Sequence, residues 1–334
     1  MPTSLRRLLS TGLASGLAFA AGLTLAAPAQ AQIALKFGHI VDTQHPIHTS
    51  GVAMAEHIAR CTNNQVKVDI FPGGQLGNEG ALNDQIRIGG VDFANTGASF
   101  LSRNFAHLAV SSLPYIFRDR SHALAYATSD VMKELAGGWE KATGQHIIGV
   151  YYSSAFHVYA QEPFVRPEDM KGKKIRVPDA PSWMVFFRAI NAVPTPMALG
   201  EVYLGLRQGV IDGANLPLAV GNAIKAHEVS KVISMTFHQM EMGLLLTGAH
   251  VKRRLSADQW KCVETGGQLY AKLAQEGNVK AEDELRDQLT KAGAVRFVDV
   301  DMAAYQKATA SVIDDKIKAG EFPQALVDRI RAVK

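Results

Sequence analysis

The sequence is poor in residues that staple, ligate or concentrate charge. Cys61 and Cys262 are the only 2 cysteines in 334 positions, too few for a disulfide scaffold and not grouped with histidine as a zinc site needs. An exported chain could join them, but their separation says nothing about proximity, so the pairing stays open. Charged residues make up only 20% and the net charge is +4. With no lysine–arginine run, a nucleic-acid face is excluded. Beyond residue 31 no stretch is long and apolar enough to span a membrane. Catalytic words are missing as well: no nucleophile elbow, HExxH or SxxK. Ser154 and His157 alternate onto opposite faces of one strand, although triads assembled from distant residues leave no such word. Four early histidines (His39, His45, His48, His57) have no carboxylate or cysteine at ligand spacing. No catalytic residue, metal or cofactor is therefore expected, and His45-Pro46-Ile47-His48 reads as a capped turn before a helix from Thr49 to Arg60.

What is present begins with an export signal. Arg6-Arg7 precede an apolar stretch from Gly12 to Ala27, then Pro28 and the small-residue pattern Ala29-Gln30-Ala31. This reads as a signal peptide over 1–31, cleaved before Gln32, leaving the protein in a periplasm without stable membrane insertion. A retained anchor fits less well because the apolar core is short and rich in alanine and glycine.

The mature part alternates strands and helices, which predicts an α/β fold. Strands are expected at Gln32–His39, Val66–Phe71 and Val91–Asn95, with a helix from Glu79 to Ile88 ended by Gly89-Gly90. His146–Tyr159 reads as a strand crossing between two domains, and Met240–His250 as the return. Ser256-Ala257-Asp258-Gln259 is a capping box opening a helix to about Lys291, bent or interrupted near Gly266-Gly267. The tail from Asp301 is helical, punctuated by Gly320 and Pro323. The resulting division is 32–153 with about 242–280 in a first domain, and about 154–241 with 281–334 in a second. One stretch also echoes another. Arg87-Ile88-Gly89-Gly90-Val91-Asp92-Phe93-Ala94-Asn95 aligns without gaps to Arg207-Gln208-Gly209-Val210-Ile211-Asp212-Gly213-Ala214-Asn215, which suggests two similar helix-to-strand corners sending Asn95 and Asn215 toward a shared cleft.

The rest is organised around Lys171–Pro217. Lys173 to Val177 alternates as a strand that Pro178 stops, so Arg176 sits at a strand end, where open α/β sheets bind ligands. Its planar fork suits a carboxylate; a solvated arginine closing a strand is the plain alternative. The words Gly172-Lys173-Lys174-Ile175-Arg176-Val177, Glu201-Val202-Tyr203 and Gly209-Val210-Ile211-Asp212-Gly213 come from this stretch. Together with Gly74-Gln75-Leu76-Gly77 and Leu113-Pro114-Tyr115-Ile116-Phe117, they make the chain resemble the solute-binding proteins of tripartite ATP-independent periplasmic (TRAP) transporters, in the dicarboxylate-binding-protein family.

That resemblance implies a two-domain periplasmic binding protein fold with an interdomain ligand cleft, crossing strands and a long spanning helix. It also implies that Arg176 grips a substrate carboxylate, and that the partners are a small and a large membrane permease subunit. Two positions depart from the family: Phe156 stands where a second arginine is common, and Leu216 where a polar residue is. One carboxylate at Arg176, with an apolar or aromatic remainder against Phe156, Trp183 and Leu199, fits both changes; alternatively these aromatics only pack the hinge. Asn95, Thr96, His39, Asp179 and Asn215 complete the expected ligand-binding set. Glu79 is either a helix-dipole partner or a hydrogen-bonding group for the ligand. An exported enzyme acting on a small carboxylate, or a ligand-sensing receptor for a signalling partner, are the other readings.

Overall fold

The structure is a computed structural model that describes residues 32–334; the expected signal segment and its cleavage point lie outside the described residues. Two sheets carry the architecture. The first has strand order β2-β1-β3-β10-β4, formed by β1 (Ile33–Gly38), β2 (Val66–Phe71), β3 (Phe93–Gly97), β4 (His146–Ala155) and β10 (Met240–Thr247). The second runs β11-β9-β5-β8-β6-β7, from β5 (His157–Ala160), β6 (Lys174–Val177), β7 (Val193–Pro196), β8 (Gly213–Leu216), β9 (Val232–Met235) and β11 (Arg296–Asp299). In each sheet parallel pairs built by strand–helix–strand units adjoin antiparallel strands from the crossings. β10 is buried at every position, because helices cover both faces of a central strand.

The expected first crossing exists but is broken at Phe156: β4 ends at Ala155, β5 starts at His157, and the Phe156 N–H donates to the Gln239 carbonyl at 2.9 Å. Gln239 belongs to the return link between β9 and β10, so the two crossings are tied where the chain changes lobes. Among the described residues no helix is long and apolar enough to cross a membrane.

Several expectations need correction. The first helix starts at Pro46, not Thr49: His45 is its N-cap, accepting from the Ile47 N–H through Nδ1, and Pro46 takes the first position, where its missing donor costs nothing. β3 lies two residues later than expected, so Asn95 is central in it. The Ser256 capping box opens a single 35-residue helix, Ala257–Lys291, with no interruption at Gly266-Gly267. Those glycines allow close approach instead: a methyl on Gly266 would meet Ile58 Cγ1 at 2.9 Å, and one on Gly267 the Ile148 carbonyl at 2.6 Å. At about 1.5 Å per residue the helix is roughly 50 Å long. It reaches from the helix Pro46–Cys61 and β4 in the first lobe to Leu285, packed against the second lobe's core.

Cys61 and Cys262 form a disulfide between those two helices, Cα to Cα 5.8 Å. Packing brings them together, which spacing could not foretell. The tail also divides. β11 and the helix Met302–Thr309 pack on the second lobe, where the Tyr305 hydroxyl donates to the Phe164 and Arg166 carbonyls. The helix Gln324–Arg331 instead returns to the first lobe: Leu326, Val327 and Ile330 join a core with Tyr126 and Trp139. Residues 281–334 thus do not belong wholly to the second lobe.

Candidate functional site

The echoed corners form as a matched pair, and they set up the site. Each ends a helix with a left-handed glycine, Gly89 at φ 80° and Gly209 at φ 70°, a conformation free of steric cost only for glycine. Each then places an aspartate beside the neighbouring strand's lysine: Asp92 Oδ2 accepts from the Lys36 N–H at 2.7 Å, and Asp212 Oδ2 from the Lys174 N–H at 2.7 Å. Register follows: Gly38 pairs with Ala94, and Arg176 with Ala214. Arg176 therefore occupies in the second lobe the place that Gly38 holds in the first.

Between the lobes lies a cavity of about 680 Å³. The second lobe contributes Arg176, Phe156, Trp183, Asp179, Leu199 and Leu216 to its wall; the first contributes Glu79, Asn95, Thr96, Arg103 and Glu241. Arg176 is only 4% exposed. Its Nε–H donates to the Met197 carbonyl at 3.0 Å and Nη1 to the Asn215 carbonyl at 3.3 Å, leaving Nη2 without a protein acceptor among the described residues. No carboxylate lies within ion-pair distance among the described residues. Burial lowers its pKa to about 10, against a smaller opposing pull from Glu79. A desolvated, unpaired guanidinium is costly unless an anion completes it. Beside it Phe156 packs on Trp183 with ring centroids 4.4 Å apart.

Across the cavity, Asn95 Oδ1 accepts from the Tyr151 hydroxyl at 2.5 Å and the Tyr270 hydroxyl at 2.9 Å. Two fixed donors on the oxygen orient the amide so that its NH₂ is free for the cavity. Thr96 Oγ1 accepts from Asn83 at 3.2 Å. Arg103 of the first lobe reaches the second at the cavity wall, donating to the Asp179 carbonyl at 2.6 Å and to its Oδ1 at 3.3 Å.

Nine of the expected residues thus line one cavity: Arg176, Phe156, Asn95, Thr96, Glu79, Asp179, Trp183, Leu199 and Leu216. Two do not. His39 follows the end of β1 and turns away to His48, ring nitrogens 3.1 Å apart, as a buried imidazole whose pKa burial lowers to about 4. Asn215 is fully buried, and alternation along β8 puts its side chain on the face opposite Arg176, beside Val158; only its carbonyl serves the site. Among the wall residues not expected from the sequence are the charged Glu241 and Arg103. Glu241 is a lone acid in the apolar strand MEMGLLLT, a signal that was available. Arg103 sits in a short turn with no local pattern to mark it.

The model of the bacterial extracellular solute-binding protein family 7 matches residues 37–319. The chain belongs to this family. A solute-binding protein of Roseobacter denitrificans is 29% identical over 303 residues, covering 90% of this chain and 92% of the relative. A crystal structure of that protein with bound L-galactonate superposes with a TM-score of 0.82 at 26% identity, covering 91% of this chain and 99% of the other. A TRAP periplasmic solute-binding protein from Bordetella, with density assigned to pantoate, gives a TM-score of 0.85 at 27% identity, covering 91% and 100%. As a family 7 member the protein is a TRAP solute-binding protein, an extracytoplasmic receptor of two α/β lobes that works with a membrane permease. The acids named in these similar structures are hydroxylated, whereas the expectation was a monocarboxylate with an apolar or aromatic part.

Proposed function

We propose that the protein, released into the periplasm by cleavage before Gln32, captures a hydroxylated monocarboxylate with a compact apolar part. It then delivers this ligand to the small and large subunits of a TRAP permease. The observation that carries the reading is Arg176, a buried guanidinium with no acceptor for Nη2 and no carboxylate partner among the described residues. An anion there makes charge-assisted hydrogen bonds that few other ligand groups can match. The tilted Phe156–Trp183 pair gives an apolar part somewhere to bury, at about 25 cal/mol per Å². Phe156 offers a second carboxylate no donor, so a diacid would carry an unpaired charge into the cleft. Asn95 and Thr96, on the facing wall, suit hydroxyls. Pantoate, a branched dihydroxy acid, and galactonate, both named for similar proteins, combine these features to different degrees.

Calorimetry on the mature protein tests this with pantoate, galactonate, phenyllactate and succinate. Saturable binding of a hydroxylated monocarboxylate, tighter than succinate and with the ligand recovered unchanged, is the expected result. Tighter succinate binding overturns the ligand class, and product formation overturns the receptor in favour of an exported enzyme.

A further inference from the structure

Two carboxyls converge on one glycine of the cavity wall. Glu79, in the first turn of the helix Glu79–Ile88, accepts from the Gly97 N–H through Oε1 at 3.2 Å. Among the described residues its Oε2 has no protein donor, and part of its surface remains on the cavity. Glu241, on β10, comes from the other side: a methyl on Gly97 would run into its Oε1. The two oxygens of Glu241 are already taken. Ser99 gives its N–H and its hydroxyl to Oε1, each at 3.0 Å, and Ser112 gives its hydroxyl to Oε2 at 2.8 Å. The groups facing this pair are few. Arg176 approaches from β6, Tyr151 from β4 and, on the same Asn95 oxygen, Tyr270 from the spanning helix. Arg103 is engaged by Asp179.

Of the other charged groups lining the cavity, Asp179 is paired with Arg103, Glu201 accepts from the Ala198 N–H, and Glu282 is held by the Tyr152 hydroxyl, the Ala155 N–H and Arg120. That leaves Glu79 and Glu241 beside the unpaired Arg176, a balance that does not suit an anion receptor. If Glu79 and Glu241 were both ionised, a captured carboxylate would add a further negative charge, in a partly dry space, next to the single unpaired guanidinium of Arg176. Like charges in such a place cannot all ionise. The donor distribution decides where a proton goes. Glu241 holds three donors suited to a carboxylate, whereas Glu79 has one oxygen free.

We propose that Glu79 is the second carboxylate-binding group of the site: carrying a proton on Oε2, it donates to the anion that Arg176 holds, and Glu241 is the positioning residue that keeps the proton there. This rests on the monocarboxylate reading. The electrostatics agree with the geometry, since burial and then Glu241 push Glu79 up to about 8, and burial pushes Glu241 up to about 7. The pair shares its protons, so the pH behaviour belongs to both carboxyls. Its sign follows from linkage. A bound anion raises the pair's pKa further, so the complex holds more protons than the free protein and binding takes protons up. Affinity is therefore constant below about pH 7 and falls as pH rises through about 8, approaching about tenfold per pH unit for one required proton.

Two measurements test this. The first is pantoate calorimetry between pH 6 and 9.5, in phosphate and in Tris so that proton uptake is read from the buffer heats. The wild-type protein is expected to take up protons and lose affinity above about pH 8. Glu79→Gln, whose amide donates without ionising, is expected to lose the fall above about pH 8 and to keep only the smaller proton uptake near pH 7 that Glu241 contributes. Glu241→Gln is expected to move the fall to lower pH, because the like charge is gone. A flat wild-type profile, or an unchanged slope in Glu79→Gln, overturns the proposal. The second measurement needs no ligand: carbon NMR of the glutamate side-chain carboxyls in the free protein. A resonance titrating above pH 6 that Glu79→Gln abolishes supports the proposal; all glutamates titrating near their ordinary value, about 4.3, overturns it. If pantoate fails to bind at any pH, the ligand reading falls while the carboxyl titration still decides where the proton resides.

Discussion

The two lobes are built on the same corner, yet they line the cavity with different chemistry. Both end a helix on a left-handed glycine, both set an aspartate on the next strand's lysine N–H at 2.7 Å, and both pair the following strands in the same register. At the matched strand position, however, one lobe has Gly38 and the other Arg176. A side chain on Gly38 would collide with Leu82 Cδ2 at 2.6 Å, so the first lobe closes that place with an aliphatic contact. It presents Glu79, Asn95, Thr96 and Glu241 instead. The second lobe supplies the guanidinium and the apolar wall. Repetition accounts for the scaffold, and asymmetry for the lining: one lobe brings the unpaired guanidinium and the apolar wall, the other the carboxyls and the polar groups.

The strongest way to break this contrast is to remove the cation. Arg176→Ala leaves the captured carboxylate unpaired, a loss of roughly 3–5 kcal/mol. At about 1.4 kcal/mol per decade, affinity falls on the order of a hundredfold or more. Arg176→Lys also binds poorly, because a point charge lacks the fork that spans Met197, Asn215 and the ligand. Near-normal affinity by calorimetry in a folded alanine variant would mean that the anion sits elsewhere.

How much of this was legible depended on how local the signal was. The capping box at Ser256, the glycine stop at Gly89 and the alternating α/β pattern each involve residues a few positions apart, and each reads correctly. The echo of Asp92 in Asp212 was legible for the same reason. Asn215 misled because similarity of two corners fixes the backbone but not what faces a side chain. Two tyrosine hydroxyls meet Asn95, whereas the Asn215 side chain meets none. His39 was placed one residue beyond the strand that would have aimed it. The disulfide and the returning tail helix depend on contacts between segments hundreds of residues apart in some cases, and no local pattern encodes them.

A second contrast between the lobes is covalent. Both cysteines staple the helix Pro46–Cys61 to the spanning helix, on the side of the first lobe. The pair Cys61→Ser and Cys262→Ser is expected to cost about 2–4 kcal/mol of stability, read as a lower Tm in calorimetry, with ligand affinity little changed. A large drop in affinity instead would show that the staple also fixes the position of Asn95 and Glu79. Phe156→Arg acts on the second lobe's apolar wall. Losing the ring contact with Trp183 is worth about 0.5–1.5 kcal/mol beyond buried area, so monocarboxylate affinity falls up to roughly tenfold. The new fork should improve succinate relative to its monoacid counterpart in competition experiments; an unchanged ratio would mean that position 156 does not reach the ligand.

The smallest effect tests a polar contact that joins the lobes at the cavity wall. Arg103 donates to the Asp179 carbonyl at 2.6 Å and its carboxylate at 3.3 Å, and both side chains are about half exposed or more, at 47% and 70%. Exposed ion pairs are worth about 0.2–1 kcal/mol, so the latch cannot carry the affinity. It can bias closure, because a contact made in one state only shifts the population by that much and no more. Arg103→Ala is therefore expected to weaken binding by roughly two- to fivefold at low salt. The difference from wild type should shrink as salt screens the pair, while the Tm of the ligand-free protein stays the same. A loss of more than tenfold that resists salt would mean that Arg103 itself touches the ligand, which puts a second cation on the first lobe and removes the division between a lobe that brings the guanidinium and a lobe that brings carboxyls and polar groups.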